Sequence, residues 1–305
     1  MKSHPRSKIL LLLAFILVLL ASLACSIDLF AEDNEDLGIQ QTLVALQQTQ
    51  AAINEQLSQE EQSSPGDVTE ETTTEEVTSQ EPDVIFEGIS FSFDSSITED
   101  VFPSILPAQN MGEEFMPSET YPTHYVFDFN LYAVGEHFHS PKILIYPVDE
   151  YRAMSEFAAN KIDNLKQTLI SQPGGGAMSD LPFLPMWNAA QIFSAKVTYF
   201  EFQNGSGVRY LTMYGQALYP VDNQNLFYTY QGLTDDGEYY LCAVLPVTHP
   251  GLPEEGQVDD WLAFEENWES YIADTISWLN AQVDQSFTPS IAMLDAMMAS
   301  FEINR

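Results

Sequence analysis

The sequence predicts an α+β domain over residues 88–305, with an antiparallel β-sheet covered by helices. Three observations carry that expectation. Segments with a two-residue apolar period succeed one another from Ile89 to Val247, with turn residues between them. Segments with a helical apolar stripe stand among and after them, and aromatic residues become dense at Gly88. Successive hairpins flanked by amphipathic helices call for an antiparallel sheet whose apolar surface those helices bury. The 218 residues from Gly88 to Arg305 suffice for one sizeable core.

The elements follow in order. Ile89-Ser90-Phe91-Ser92-Phe93 alternates, and so does Tyr125 to Val134, with Tyr125, Phe127, Phe129 and Leu131 on one face. Ile143 to Val148 is a more continuously apolar strand. Asp149 offers a cap to a helix running through about Ile170, in which Tyr151, Met154, Phe157, Ala158, Ile162 and Leu165 share a stripe. Pro173-Gly174-Gly175-Gly176 stops it. Lys196 to Phe202 and Val208 to Tyr214 alternate on either side of Asn204-Gly205-Ser206-Gly207, where glycine can supply the positive φ of a hairpin turn. Leu226 to Gln231 and Glu238 to Val247 repeat the arrangement around Asp235-Asp236-Gly237. Two helices follow, Asp260 to Gln282 and Pro289 to Ser300, the second with Ile291, Leu294, Met297 and Met298 on its apolar face. Phe301-Glu302-Ile303 comes last.

This order of elements runs from Ile89-Ser90-Phe91-Ser92-Phe93 to the helix Met293-Leu294-Asp295-Ala296-Met297-Met298-Ala299-Ser300-Phe301. It resembles the Mog1/PsbP-like α/β/α sandwich over roughly Ile89 to Ile303. The likeness rests on element order, and no residue motif accompanies it. Gly174 to Trp187 and the helix with Trp261, Trp268 and Trp278 exceed a minimal member of that family. The chain is also similar to bacterial envelope lipoproteins that carry a Gln/Thr-rich helix, a low-complexity stalk and an aromatic domain. That likeness implies no particular activity.

The first residues account for the lipoprotein resemblance. Lys2, Arg6 and Lys8 form a basic leader, Ile9 to Leu23 is a run of 15 residues apolar but for Ser22, and Ala24-Cys25-Ser26 follows. A charged leader, a short apolar run and a small residue make a secretory signal peptide, residues 1–24. The run is short for a spanning helix, which needs about 20 residues. Ser22-Leu23-Ala24-Cys25 resembles the bacterial lipobox, with Leu one place later than the family pattern. The resemblance implies lipidation of Cys25 and retention at the extracytoplasmic face of the cell membrane. An uncleaved signal anchor is the alternative, and it also places the rest of the chain outside.

Residues 25–59 are expected to hold the lipidated N-terminus and a short amphipathic helix. There Ile39, Leu43, Leu46, Ile53 and Leu57 form a seam of under three heptads, enough for weak self-association through residues 37–59. Residues 60–87 form a disordered acidic spacer centred on Thr69-Glu70-Glu71-Thr72-Thr73-Thr74-Glu75-Glu76, which lacks the apolar surface to offset chain entropy.

Charge narrows the partners. From Cys25 onward the chain has seven basic residues against 45 acidic ones, a formal net charge of −38. Such a surface repels phosphate backbones and excludes nucleic acid. With Cys25 lipidated, Cys242 has no partner for a disulfide and reads as a buried thiol in an apolar strand.

Candidate chemistry is sparse. His137 and His139 stand two apart, so on a strand both rings could reach one metal ion, with Glu136, His124 and His249 as further ligands. Asp235-Asp236-Gly237-Glu238 and Asp259-Asp260 could offer oxygens to calcium but match no calcium-loop spacing, and the first suits a turn. There is no nucleophile-elbow, phosphate-loop or dinucleotide glycine pattern. Tyr199, Tyr210, Tyr214, Tyr219, Tyr228, Tyr230, Tyr239 and Tyr240 crowd the hairpins, most of them as packing and a few as candidates to line a sugar or peptide groove. The expectation is a membrane-tethered binding or accessory domain without catalysis or cofactor, whose partner is an envelope protein or a small ligand. The alternatives are an extracytoplasmic metal-dependent hydrolase using His137 and His139, and a structural envelope assembly factor.

Overall fold

The computed structural model describes residues 81–112, 117–177 and 180–305. The expected signal peptide, the lipidation site Cys25, the amphipathic helix and the spacer up to residue 80 lie outside the described residues. The strands are β1 (Val84–Phe86), β2 (Ile89–Phe91), β3 (Asp100–Leu106), β4 (Gln109–Asn110), β5 (Thr120–Tyr121), β6 (His124–Asn130), β7 (Lys142–Pro147), β8 (Ala190–Phe202), β9 (Gly205–Gly215), β10 (Phe227–Thr234), β11 (Tyr239–Pro246) and β12 (Glu302–Ile303). The helices are α1 (Val148–Met154), α2 (Glu156–Ser171), α3 (Trp261–Glu266), α4 (Trp268–Ala281) and α5 (Ile291–Ala299). None of the described helices is long and apolar enough to cross a membrane.

The architecture is α+β. Seven strands form an antiparallel sheet in the order β3-β6-β7-β11-β10-β9-β8, and a smaller sheet joins β1, β2 and β12. Alternation sorts side chains to the two faces of the large sheet. On one face Phe127, Ile145, Leu211, Tyr228 and Leu241 pack with Ile272 and Leu279 of α4, Leu294 and Met298 of α5, and Phe91 and Phe301 beside the small sheet. On the other, Leu144, Tyr146, Val208, Tyr210 and Cys242 pack with Ile162 and Leu165 of α2. Every residue of β10 is buried. Cys242 is a free, fully buried thiol, and burial pushes its pKa well above the ordinary thiol range.

Several boundaries differ from the sequence expectation. The strand expected to reach Val134 ends at Asn130, and Leu131, with φ of 50°, is exposed rather than on its inner face. The sheet begins at Val84 rather than Gly88: Glu87 and Gly88, with φ of 50° and 76°, form the turn that pairs β1 with β2. The helix expected from Asp149 is two helices. Ser155 leaves the helical conformation and caps α2, its hydroxyl accepting from the Ala158 amide at 3.1 Å. In the β8–β9 hairpin the turn is Gln203–Asn204, and neither it nor Gly205 needs positive φ. Gly205 and Gly207 are there for proximity, since a Cβ would stand 2.1 Å from the Phe202 ring and 2.4 Å from the Tyr230 ring respectively. The helix expected from Asp260 to Gln282 is also two, α3 and α4, parted at Asn267, and Asp260 caps the first by accepting from the Leu262 and Ala263 amides at 3.1 Å each.

An ion pair between buried Arg209 and half-buried Asp295 ties the large sheet to the C-terminal helices. Arg209 of β9 donates through Nε and Nη2 to the two Asp295 oxygens, at 3.1 and 2.8 Å, and through Nη1 to the Lys196 carbonyl. The Tyr228 hydroxyl donates to the same carboxylate at 2.9 Å. Lys196 sits in an irregular stretch of β8 with φ of 52°, and its ammonium reaches Asp284 at 2.8 Å. Removing one partner of a buried pair strands the other charge in low dielectric. Asp295→Asn should therefore cost about 3 kcal/mol in chemical denaturation. A loss below about 1 kcal/mol would mean Asp284 alone compensates Arg209.

Candidate functional site

The site is built on a loop that two buried glutamines hold to the sheet. Gln231 lies on fully buried β10, so its carboxamide must find partners inside the protein. Its oxygen accepts from the Leu184 amide at 2.9 Å and the Tyr240 hydroxyl at 2.7 Å. Its nitrogen donates to the Leu184 carbonyl at 3.1 Å and to the Thr229 hydroxyl at 2.8 Å. Gln191 repeats the device on β8, accepting from the Leu181 amide at 3.3 Å and donating to the Tyr210 and Tyr214 hydroxyls at 3.3 and 3.2 Å. The loop from Asp180 to Asn188 is thereby fixed over the face that carries α2.

This loop delivers an aromatic cluster. Phe183, Phe227 and Val244 form a small core with Trp187 and Tyr214 packed against it. His139 stacks on Trp187 with ring centroids 4.5 Å apart and planes 5° from parallel. Phe183 meets Trp187 edge-on at 4.7 Å and Tyr214 at 4.5 Å. In front of the cluster lies a surface hollow of about 350 Å³, lined by Lys161, Asp180, Phe183, Met186, Trp187 and Tyr214, with Gln191 at its back. A second hollow of about 390 Å³ continues along α2, lined by Asn164, Gln167, Thr168, Ser171 and the Gly174–Gly176 backbone. Asp180 borders both and pairs with Lys161 at 3.2 Å, while Asn164 donates to its carbonyl at 3.1 Å. The two hollows, one aromatic and one polar, share Asp180 at their border and together make the candidate groove.

The ionisable groups in and behind the groove are held neutral or paired. Burial raises the Tyr214 phenol above its usual range, and the Gln191 hydrogen bond only partly offsets it. Burial, then the charges of His137 and Lys142, push His139 down to about 3. Its Nε2 is enclosed and has no hydrogen-bond partner among the described residues.

The histidines singled out from the sequence do not converge. His137 and His139 are neighbours, with ring centroids 5.7 Å apart, but both His137 nitrogens are engaged. Nδ1 accepts from the His139 amide and Nε2 donates to the Leu226 carbonyl, each at 3.0 Å. His124 is buried between Tyr121 and Tyr146, its Nδ1 donating to the Pro122 carbonyl at 2.8 Å. His249 sits against Trp278 and Phe287, with Ser286 at 3.0 Å from Nε2 and the Gly251 amide at 3.0 Å from Nδ1. Glu136 is exposed. Among the described residues no group of three or more His, Cys, Asp or Glu gathers where a metal could sit. Asp236 serves the β10–β11 turn, accepting from the Thr234 hydroxyl at 2.6 Å and the Glu238 amide at 2.9 Å, and these bonds lower its pKa.

Of the eight tyrosines weighed as groove residues, Tyr214 alone lines the aromatic hollow. Sequence reasoning missed Trp187, Phe183, Met186, Lys161, Asp180 and Gln191. The available signal was the apolar run Leu181-Pro182-Phe183-Leu184-Pro185-Met186-Trp187 inside the segment that exceeds a minimal family member.

His139 makes this cluster pH-sensitive. Its pKa is about 3 in the fold against about 6.5 in an unfolded chain, so the unfolded state takes the proton first. Stability from this group is complete above about pH 6.5 and is drawn down as the pH falls from there towards about 3. His139→Phe keeps a ring against Trp187 and removes the titration. Across pH 6 to 4 the wild-type stability should fall more steeply than the variant's by up to one proton, about 1.4 kcal/mol per pH unit. Parallel stability profiles would contradict this.

Comparison of the chain with protein-family models, with curated proteins and with solved structures found no match.

Proposed function

We propose that this chain is an exported lipoprotein, anchored through Cys25 at the extracytoplasmic face of the membrane, whose folded domain is a non-catalytic binding or accessory module. The basic leader, the short apolar run and Ala24-Cys25 support the export and anchoring part of this reading. Residues 60–83, acidic and poor in apolar side chains, suit a spacer, and residues 37–59 suit weak self-association. Helices on both faces of an antiparallel sheet support the likeness to the Mog1/PsbP-like sandwich.

The binding part rests on one observation. The groove joins an aromatic wall of Phe183, Trp187 and Tyr214 to a polar stretch along α2, and its ionisable groups are paired or kept neutral by the fold. A general base needs a pKa near the working pH and a free lone pair aimed at the substrate. His139 sits far below that range behind Trp187, and Lys161 is committed to Asp180. Convergent polar groups beside an apolar wall, fixed by buried hydrogen bonds, suit recognition. The hydrolase alternative needs a ligand set that His124, His137, His139 and His249 do not form.

Two measurements test the proposal. Cys25→Ala should abolish lipid attachment and shift the protein from the membrane to the soluble or unprocessed fraction. Wild-type protein found by mass spectrometry to be unlipidated and uncleaved at Cys25 would refute the anchor. For the groove, Ala190→Arg places a long cationic side chain at the rim of the aromatic hollow, from an exposed position. A thermal-shift screen of the full chain against small envelope-derived molecules should return hits that this variant loses. Hits retained in full by Ala190→Arg would place the binding site elsewhere.

A further inference from the structure

We infer that the groove takes a neutral oligosaccharide, laid with one ring against the wall formed by Phe183, Trp187 and Tyr214 and the next along the polar stretch of α2. The inference rests on reading the groove as a binding site and names the chemical class of its ligand.

The two halves ask for different things in one molecule. The aromatic half presents the half-buried rings of Trp187 and Tyr214 and the Met186 thioether, with Phe183 buried behind them, surfaces that match the C–H face of a pyranose. The polar half presents the exposed Gln167 amide, the Ser171 hydroxyl, whose proton goes to the Gln167 carbonyl, the Asn164 amide, which already donates to the Asp180 carbonyl, and the backbone of Gly174–Gly176, with Thr168 buried behind them. Amides and hydroxyls both donate and accept, as sugar hydroxyls do, and none of these groups brings a charge. The charged side chains lining the two hollows are Lys161 and Asp180, paired with each other at 3.2 Å. That pair is exposed and screened, and its two opposite charges leave the hollows without a net charge to select an ionic ligand. The chain's strong negative charge further disfavours a polyanionic glycan.

The shape points the same way. Both hollows open to solvent and meet at Asp180, giving a trough rather than an enclosed cavity. An apolar small molecule is best served by enclosure, which removes most of its surface from water. A peptide bound by strand addition needs a free row of backbone amides on a sheet edge. The nearby edge of β8 is already taken: Ala177 bridges to Phe193, and the Ser194 amide donates to the Gly176 carbonyl at 2.9 Å.

The test uses the full chain in detergent on an array of neutral oligosaccharides, with an array of uncharged short peptides beside it. Two variants block the groove from exposed positions, Ala190→Arg at the aromatic half and Gln167→Arg at the polar half. Neither touches the core, and unchanged thermal melts verify folding. At least one oligosaccharide should bind, with a change in tryptophan fluorescence, and each variant should weaken it tenfold or more. If peptides bind with that variant dependence and no oligosaccharide does, the saccharide assignment is wrong while the groove remains a binding site. If neither array binds, or if binding ignores both variants, the saccharide assignment and the groove reading fall together.

Discussion

Every residue of β10 is buried, and both faces of that strand are covered, so no polar side chain on it can turn to water. A buried polar group without a partner costs about 1–3 kcal/mol, and the layers on either side must therefore supply partners. They do so unequally. On the side of α4 and α5, the Tyr228 hydroxyl reaches Asp295, which also holds Arg209 from β9. On the side of α2, Gln231 has no charged partner and instead fills its hydrogen bonds with the backbone of Leu184. A sheet interior that cannot hydrate thus recruits a helix on one side and a loop on the other.

The loop is what makes the groove. Leu184 clamped by Gln231 and Leu181 clamped by Gln191 fix the segment between them, and Phe183 and Trp187 take their places from that anchoring. His139 completes the support by stacking on Trp187 at the cost of an enclosed nitrogen without a partner. The groove wall is therefore set by the same hydrogen bonds that satisfy the sheet. Preformed walls lose little conformational entropy when a ligand arrives.

Much of the fold was legible because it repeats local signals. The hairpin strands and the apolar face of α5 follow from residue period. Where reading failed, two signals overlapped or tertiary contact decided. Gly88 marks a change of composition, but it does so as the turn of a hairpin whose first strand, Val84-Ile85-Phe86, was itself readable as apolar. Gly205 and Gly207 resemble turn glycines, yet they are required by the Phe202 and Tyr230 rings, which lie elsewhere in the sequence or across the hairpin. Ser155 interrupts a stripe of helical period that otherwise runs unbroken, because its hydroxyl serves the backbone better as a cap. The groove was nearly invisible for the same reason: Lys161, Asp180, Trp187 and Tyr214 come from a helix, a loop and a strand, and tertiary contacts, the glutamine clamps among them, bring them together.

The small sheet has a consequence for how the domain assembles. Ile89 pairs with Ile303, and Phe91 stacks on Phe301 at 4.2 Å, so an early strand waits for residues more than two hundred positions later. Contacts of such long separation carry a large loop-closure cost and form late. During synthesis, the β2 edge that pairs with β12 therefore stays open until almost the whole domain has emerged. Arg305, bonded to Glu87 at 2.9 Å and resting over Tyr125, then latches the two ends. The geometry works as a completeness check, since a chain interrupted anywhere before Phe301 leaves the Phe91 ring without its stacking partner and the β2 edge unpaired.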